Sequence, residues 1–177
     1  LPTTGTTRKL PDFTQQEGTT TVPLNLDSYE SVFVVFAEPV KAGKSPKVGS
    51  VTNYPSPALL TEISGPWNVS FDQKMRGPVN PVVMRPRLQP WNEMPNDSVK
   101  YYSGTAVYTT GFDLVKLPAN ERILLDLGKL SAMGKVYVNG QYAGGVWTTP
   151  YELDITQWVK EGRNDLRVEV VNTWVNR

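Results

Sequence analysis

The chain contains neither cysteine nor histidine. Without cysteine, disulfide staples, thiol nucleophiles and thiolate zinc sites are excluded. Without histidine the commonest general base is gone, and with it the Ser-His-Asp triad and nearly every imidazole-built metal site. Catalysis would have to rest on carboxylates, tyrosine or lysine, so the sequence argues against an enzyme. An excess of one charge is lacking too: 18 basic and 17 acidic residues leave a net charge of +1. That balance gives no electrostatic footprint for nucleic acid or an anionic membrane. No apolar run approaches the roughly 20 residues of a membrane-spanning helix.

What is present suits a β-protein. A chain of 177 residues can bury a core and still hold one domain plus an appendage, or two small ones. Its 15 prolines and 14 glycines fall at turn intervals between short runs rich in Val, Phe and Thr. "TTTVPLNL" (19–26) and "SVFVVFAE" (31–38) read as strands. The second is almost continuously apolar, which predicts a strand covered on both faces. The Gly-, Pro- and Ser-rich stretch with Lys41, Lys44 and Lys47 marks a boundary, placed near 40–58. "LPTTG" at 1–5 matches a cell-wall sorting pattern, but a working signal of that kind precedes an apolar segment and a basic tail, not a chain like this one. Starting at Leu1 with no signal peptide, the chain reads as a piece of something longer.

A second unit begins at Leu59. "GPWNVSFD" puts Trp67, Val69 and Phe71 on one face of a strand. Residues 73–98, with prolines at 78, 81, 86, 90 and 95, predict an ordered surface loop or edge segment. "VKYYSGTAVYTTGFDL" (99–114) reads as a strand interrupted at Gly104 and Gly111, and "RILLDLG" (122–128) as a buried strand. Asn139-Gly140, inside "KVYVNGQYAGGVW", is the strongest short-range hairpin signal because both residues tolerate positive φ. "DITQWVK" suits a helical turn capped by Asp154 or Thr156, and "DLRVEVVNTWV" closes with a strand. The expected architecture is all-β. An antiparallel jelly-roll sandwich spans 59–177, and residues 1–55 supply the last strands of an adjoining β-rich domain plus a linker.

Within this frame the candidate chemistry clusters at 135–156. Glu152 and Asp154 lie two apart, so a strand would present both on one face. Glycoside hydrolysis needs two carboxyl groups about 5 to 9 Å apart across a cleft, and a pair on one strand seldom flanks a substrate from two sides. Asp154 is therefore read as a turn former and Glu152 as solvated. Trp147 follows "AGG" and Tyr151 follows Pro150, so both rings are candidates for stacking on the C–H face of a sugar. Trp91, Tyr101 and Tyr102 are further candidates, against the alternative that these aromatics fill a core or an interface. Trp67, Trp158 and Trp174 fit strand periodicity and read as core. No cofactor is expected. Structural calcium is possible at oxygen donors such as Asp72, Asn96, Asp97 and Asp126, although no EF-hand spacing occurs.

The run from "YYSGTAVYTTGFDL" through "ILLDLGKLSAMGKVYVNGQYAGGVWTTPYELDITQWVKEGRNDLRVEVVNTWVNR" resembles the galactose-binding-like β-sandwich of glycoside hydrolase family 2-type enzymes. With "GPWNVSFD" and "VVNTWVNR", the chain is similar to the C-terminal region of α-L-rhamnosidase-like proteins of glycoside hydrolase family 106. The resemblance implies a non-catalytic module whose catalytic carboxylates sit on a separate barrel domain of the same parent chain. It implies carbohydrate as ligand, plant-type polysaccharide as the parent's substrate, and a secreted or periplasmic bacterial enzyme. It assigns structural roles to the hairpin residues Asn139 and Gly140, to Gly144 in the close-packed strand, and to Asp154 in the "DIT" turn. The alternative is a purely structural domain that packs on the catalytic barrel and has no ligand of its own.

Overall fold

A computed structural model describes residues 5, 7–26, 30–37, 39, 52–119 and 121–173. The lysine-bearing boundary segment and Trp174 lie outside them. The chain divides into two compact units, Leu1–Leu59 and Leu60–Arg177.

In the first unit β1 (Thr14–Gln16) and β2 (Thr19–Thr21) form a short antiparallel hairpin. Buried Asn53 ties that region together. Its Nδ2 donates to the carbonyls of Asp12 (2.7 Å) and Pro23 (3.2 Å), and its Oδ1 accepts from the Asp12 N–H (2.8 Å). The strand expected over 31–38 is corrected here. Residues 31–37 are irregular, and Phe33, Val35 and Phe36 are 84%, 78% and 71% exposed. An apolar run becomes a doubly covered strand only if a ladder partner and two packing layers exist, and no described residue pairs with this one.

The second unit is built on one antiparallel sheet of six strands. They are β3 (Trp67–Phe71), β4 (Val82–Met84), β5 (Thr105–Leu114), β7 (Met133–Val138), β8 (Gln141–Val146) and β10 (Gly162–Val171), in the order β4-β3-β5-β10-β7-β8. A separate ribbon of β6 (Leu124–Asp126) and β9 (Glu152–Asp154) supplies apolar side chains to the same core. The spine is the ladder between β5 and β10, which runs in unbroken register from Gly162↔Leu114 to Val171↔Thr105. Alternation sorts each strand. Val69, Ala106, Val136, Val138, Leu166 and Val168 point inward, while the residues between them face out.

The proline-rich segment folds back as cover for the core and also supplies the edge strand β4. It carries Trp91 into the core beside Phe71 and Tyr102. The three rings meet edge to face, with centroids 4.9 to 5.6 Å apart, a geometry worth about 0.5 to 1.5 kcal/mol per pair beyond burial. Asn96 caps a single helical turn, α1 (Asp97–Lys100), through Ser98 N–H, so the strand expected from Val99 starts only at Thr105. Gly111 does not interrupt β5. It makes room for the Arg163 guanidinium, which a Cβ there would meet.

Two tyrosine hydroxyls are bonded inside this layer. Tyr102 donates to the Thr105 carbonyl and accepts from Asp72 N–H, while Tyr108 accepts from the Trp91 indole N–H. Burial pushes both hydroxyls above the ordinary value of 10.0, against the opposing pull of those N–H bonds. The folded state therefore holds these protons more tightly than the unfolded chain does. That stability is present in full below about pH 10 and is lost as pH rises through the folded value. Urea unfolding at stepped pH is expected to give a flat free energy from neutral to about pH 9 and a decline above pH 10. Tyr108→Phe should weaken the decline and, by leaving Trp91 N–H unpaired, cost about 1 to 3 kcal/mol at neutral pH.

Candidate functional site

The β7–β8 hairpin turns on Asn139 and Gly140, both at positive φ (51° and 80°). The side chain of Asn139 does more than permit the turn. Its Nδ2 donates to the Trp158 carbonyl (2.8 Å) and to Asn164 Oδ1 (2.9 Å), and its Oδ1 accepts from Asp165 N–H (3.0 Å). Asn164 is fully buried. Its Oδ1 also accepts from Lys160 N–H (2.9 Å), and its Nδ2 donates to the carbonyls of Lys160 (2.7 Å) and Gly162 (3.0 Å). Two amides thus lock the hairpin tip, the 158–162 turn and the start of β10 together.

After the turn, β8 carries a bulge. Tyr142 pairs with Tyr137 and Gly144 with Val136, so Ala143 is an extra residue. The bulge shifts the alternation by one. Ala143 and Val146 point inward, Tyr142 and Gly145 share the outer face, and Trp147 follows the end of the strand. Gly144 lies on the inner side against the ribbon, where a Cβ would come within 2.8 Å of Leu153 Cδ1. Tyr142 is 55% exposed and Trp147 70%. The Tyr137 and Tyr142 rings lie 5.4 Å apart, and the Arg167 guanidinium sits 3.7 Å above the Tyr137 ring while bonding Glu169 at 2.6 Å.

Tyr142 and Tyr137 form a ring pair not singled out from the sequence, and among the described residues no ring contact joins Trp147 to them. Tyr151 is half-buried in the following loop, its carbonyl accepting from Leu127 N–H (3.0 Å), and among the described residues no ring contact joins it to Trp147. Trp91 and Tyr102 are buried in the core with their polar atoms bonded, so neither offers a free face. Tyr101 is exposed and lies beneath the Lys100 ammonium.

The carboxylates are arranged as turn chemistry. Asp154 Oδ1 accepts from the N–H and hydroxyl of Thr156 (3.1 and 2.6 Å), and its other oxygen is 3.7 Å from Arg122. Glu152 is exposed on β9, opposite Asp126. Asp72, Asn96 and Asp126 each accept from the N–H two residues on, an Asx-turn habit. No group of three or more carboxylates able to hold a metal occurs among the described residues.

Asn139→Gly separates turn geometry from side-chain bonding. Gly-Gly suits the turn as well as Asn-Gly does, so a residue that only formed the turn would be replaceable. Loss of three side-chain bonds is instead expected to lower unfolding free energy by about 1 to 3 kcal/mol. Asn164→Ala should cost about 3 kcal/mol or more, because it strands buried backbone groups. Chemical denaturation of both variants measures this.

Comparisons with known proteins agree with this architecture. The family model described as glycosyl hydrolase 2 galactose-binding domain-like matches residues 89–177. A Formosa agariphila protein with the provisional name beta-glucuronidase is 37% identical over 130 residues, which is 72% of this chain and 11% of that protein. The structure of a rhamnosidase from Novosphingobium sp. PP1Y superimposes with a TM-score of 0.73 at 34% identity, covering 93% of this chain and 15% of the other. The crystal structure of Ruminococcus gnavus beta-glucuronidase gives a TM-score of 0.53 at 26% identity, over 67% of this chain and 23% of the other. The chain thus spans between about a tenth and a quarter of the length of these relatives. With half its length under the family model and the same antiparallel sheet, it belongs to the glycosyl hydrolase 2 galactose-binding domain-like family.

Proposed function

We propose that the chain is a non-catalytic, carbohydrate-contacting accessory domain of a larger bacterial glycoside hydrolase of the rhamnosidase-like kind. In this reading the parent acts on plant-type polysaccharide outside the cytoplasm, in the periplasm or after secretion, and a separate domain supplies the reacting carboxylates. The observation that carries it is the exposure of Tyr142 on the edge strand β8 and of Trp147 just beyond its end, planar rings that can stack on sugar C–H faces. Two facts support the non-catalytic part. The chain has no histidine or cysteine. Asp154 is bonded into its own turn and Glu152 is open to solvent, whereas a glycosidase acid works from a desolvated pocket.

Isothermal titration with rhamnose, galactose and pectin-derived oligosaccharides tests the reading. Saturable heat is expected with at least one oligosaccharide, and Trp147→Ala should weaken it tenfold or more, about 1.4 kcal/mol. Silence across the panel would leave a purely structural domain, and turnover by the wild-type chain that Glu152→Gln abolishes would make it an enzyme.

A further inference from the structure

We propose that the outer edge of the sheet binds an acidic, uronate-bearing oligosaccharide, lying along β8 over Tyr142, Gly145 and Trp147 with its carboxylate on Lys135. The proposal rests on the carbohydrate reading above and adds the register, the length and the charge of the ligand.

The register comes from the bulge. Tyr142 pairs with Tyr137 and Gly145 with Lys135, the ladder ends at Val146 opposite Gly134, and exposed Trp147 follows directly. From Tyr137 to Gly134 the ladder covers three rises, or roughly 10 Å at about 3.3 Å per residue, and Trp147 extends beyond its end. That length suits several linked sugar rings better than one monosaccharide. Gly145 has no side chain, so the Tyr142 ring can reach across it. A Cβ there would lie 3.4 Å from the Tyr142 hydroxyl oxygen, so that hydroxyl leans over the gap. Among the described residues it forms no hydrogen bond, which leaves it able to bond a sugar.

The charge comes from a competition that Lys135 loses. Glu169 lies directly opposite Lys135 in the ladder and would be its natural partner. Arg167, stacked on Tyr137, takes that carboxylate instead, at 2.6 Å. Among the described residues Lys135 is left without an ion pair, exposed beside Gly145. An ammonium placed there favours an anion, and a charge-assisted bond to a carboxylate is about twice as strong as a neutral one. A free uronate group on the sugar is the complementary chemistry.

The test titrates the full 177-residue chain with an oligogalacturonate and with the same oligomer methyl-esterified, at low and high salt. The acid should bind about fivefold tighter than the ester at low salt, and the margin should shrink as salt screens it. Lys135→Gln should erase the preference by weakening the acid to the level of the ester. Gly145→Val, pointing outward and compatible with a strand, should weaken both ligands, with far-ultraviolet circular dichroism confirming the fold. Equal binding of acid and ester, or a preference that survives Lys135→Gln, overturns the proposal and leaves the carbohydrate reading standing. No binding of any oligosaccharide overturns both.

Discussion

The second unit depends on the buried side-chain amide of Asn164. A strand pairing as long as β5–β10 needs a fixed starting point, because a slip of one residue would send every inward side chain outward. Asn164 supplies it at the first turn of β10. It satisfies Lys160 N–H and the carbonyls of Lys160 and Gly162, and it passes its remaining acceptor capacity to Asn139. The hairpin tip is thereby fixed against the same strand that β7 pairs with, so register is enforced at the Leu166↔Val138 end of the β7–β10 ladder. Asparagine suits the task because its amide both donates and accepts and does not titrate. At the far end of β10, buried Asn172 repeats the device, accepting from Gly104 N–H and donating to the Tyr102 carbonyl.

Once β10 is fixed, the outer face follows. Arg167 is carried opposite Tyr137 and Glu169 opposite Lys135 by register alone. The cation–π contact then determines which of two basic side chains obtains the Glu169 carboxylate. Guanidinium outcompetes ammonium here because its plane can lie on the tyrosine ring while its edge bonds the acid. The charge left on Lys135 is thus a consequence of sheet register and not of local sequence.

Some of this was legible in the residues and some was not. Asn139-Gly140 announced its hairpin because a two-residue turn with positive φ is a local property. The inward set Trp67, Val69, Phe71 followed from period-2 alternation. The aromatic edge did not, since Tyr142 and Trp147 are five apart and unbulged alternation would send them to opposite faces. The extra residue at Ala143 shifts the alternation after Tyr142, and a bulge is settled by the partner strand. Trp91 misled for a related reason. Its proline-rich surroundings suggest a surface loop, yet Tyr108, 17 residues on, offers the oxygen its indole N–H needs inside the core. "SVFVVF" shows the opposite failure, strong strand propensity without a ladder partner among the described residues.

Fold and candidate function therefore lie on opposite faces of one sheet and make different demands on the sequence. The inner face needs volume and alternation, and its few buried polar groups are mostly amides held by backbone. The outer face needs side chains that stay incompletely partnered, which a sheet tolerates only where water can reach them. Tyr142, Gly145, Trp147 and Lys135 meet that condition, and none is required by the core. Replacing them should change what the surface recognises while the ladder beneath keeps its register. A parent enzyme could then retune such a module without disturbing the domain it is attached to.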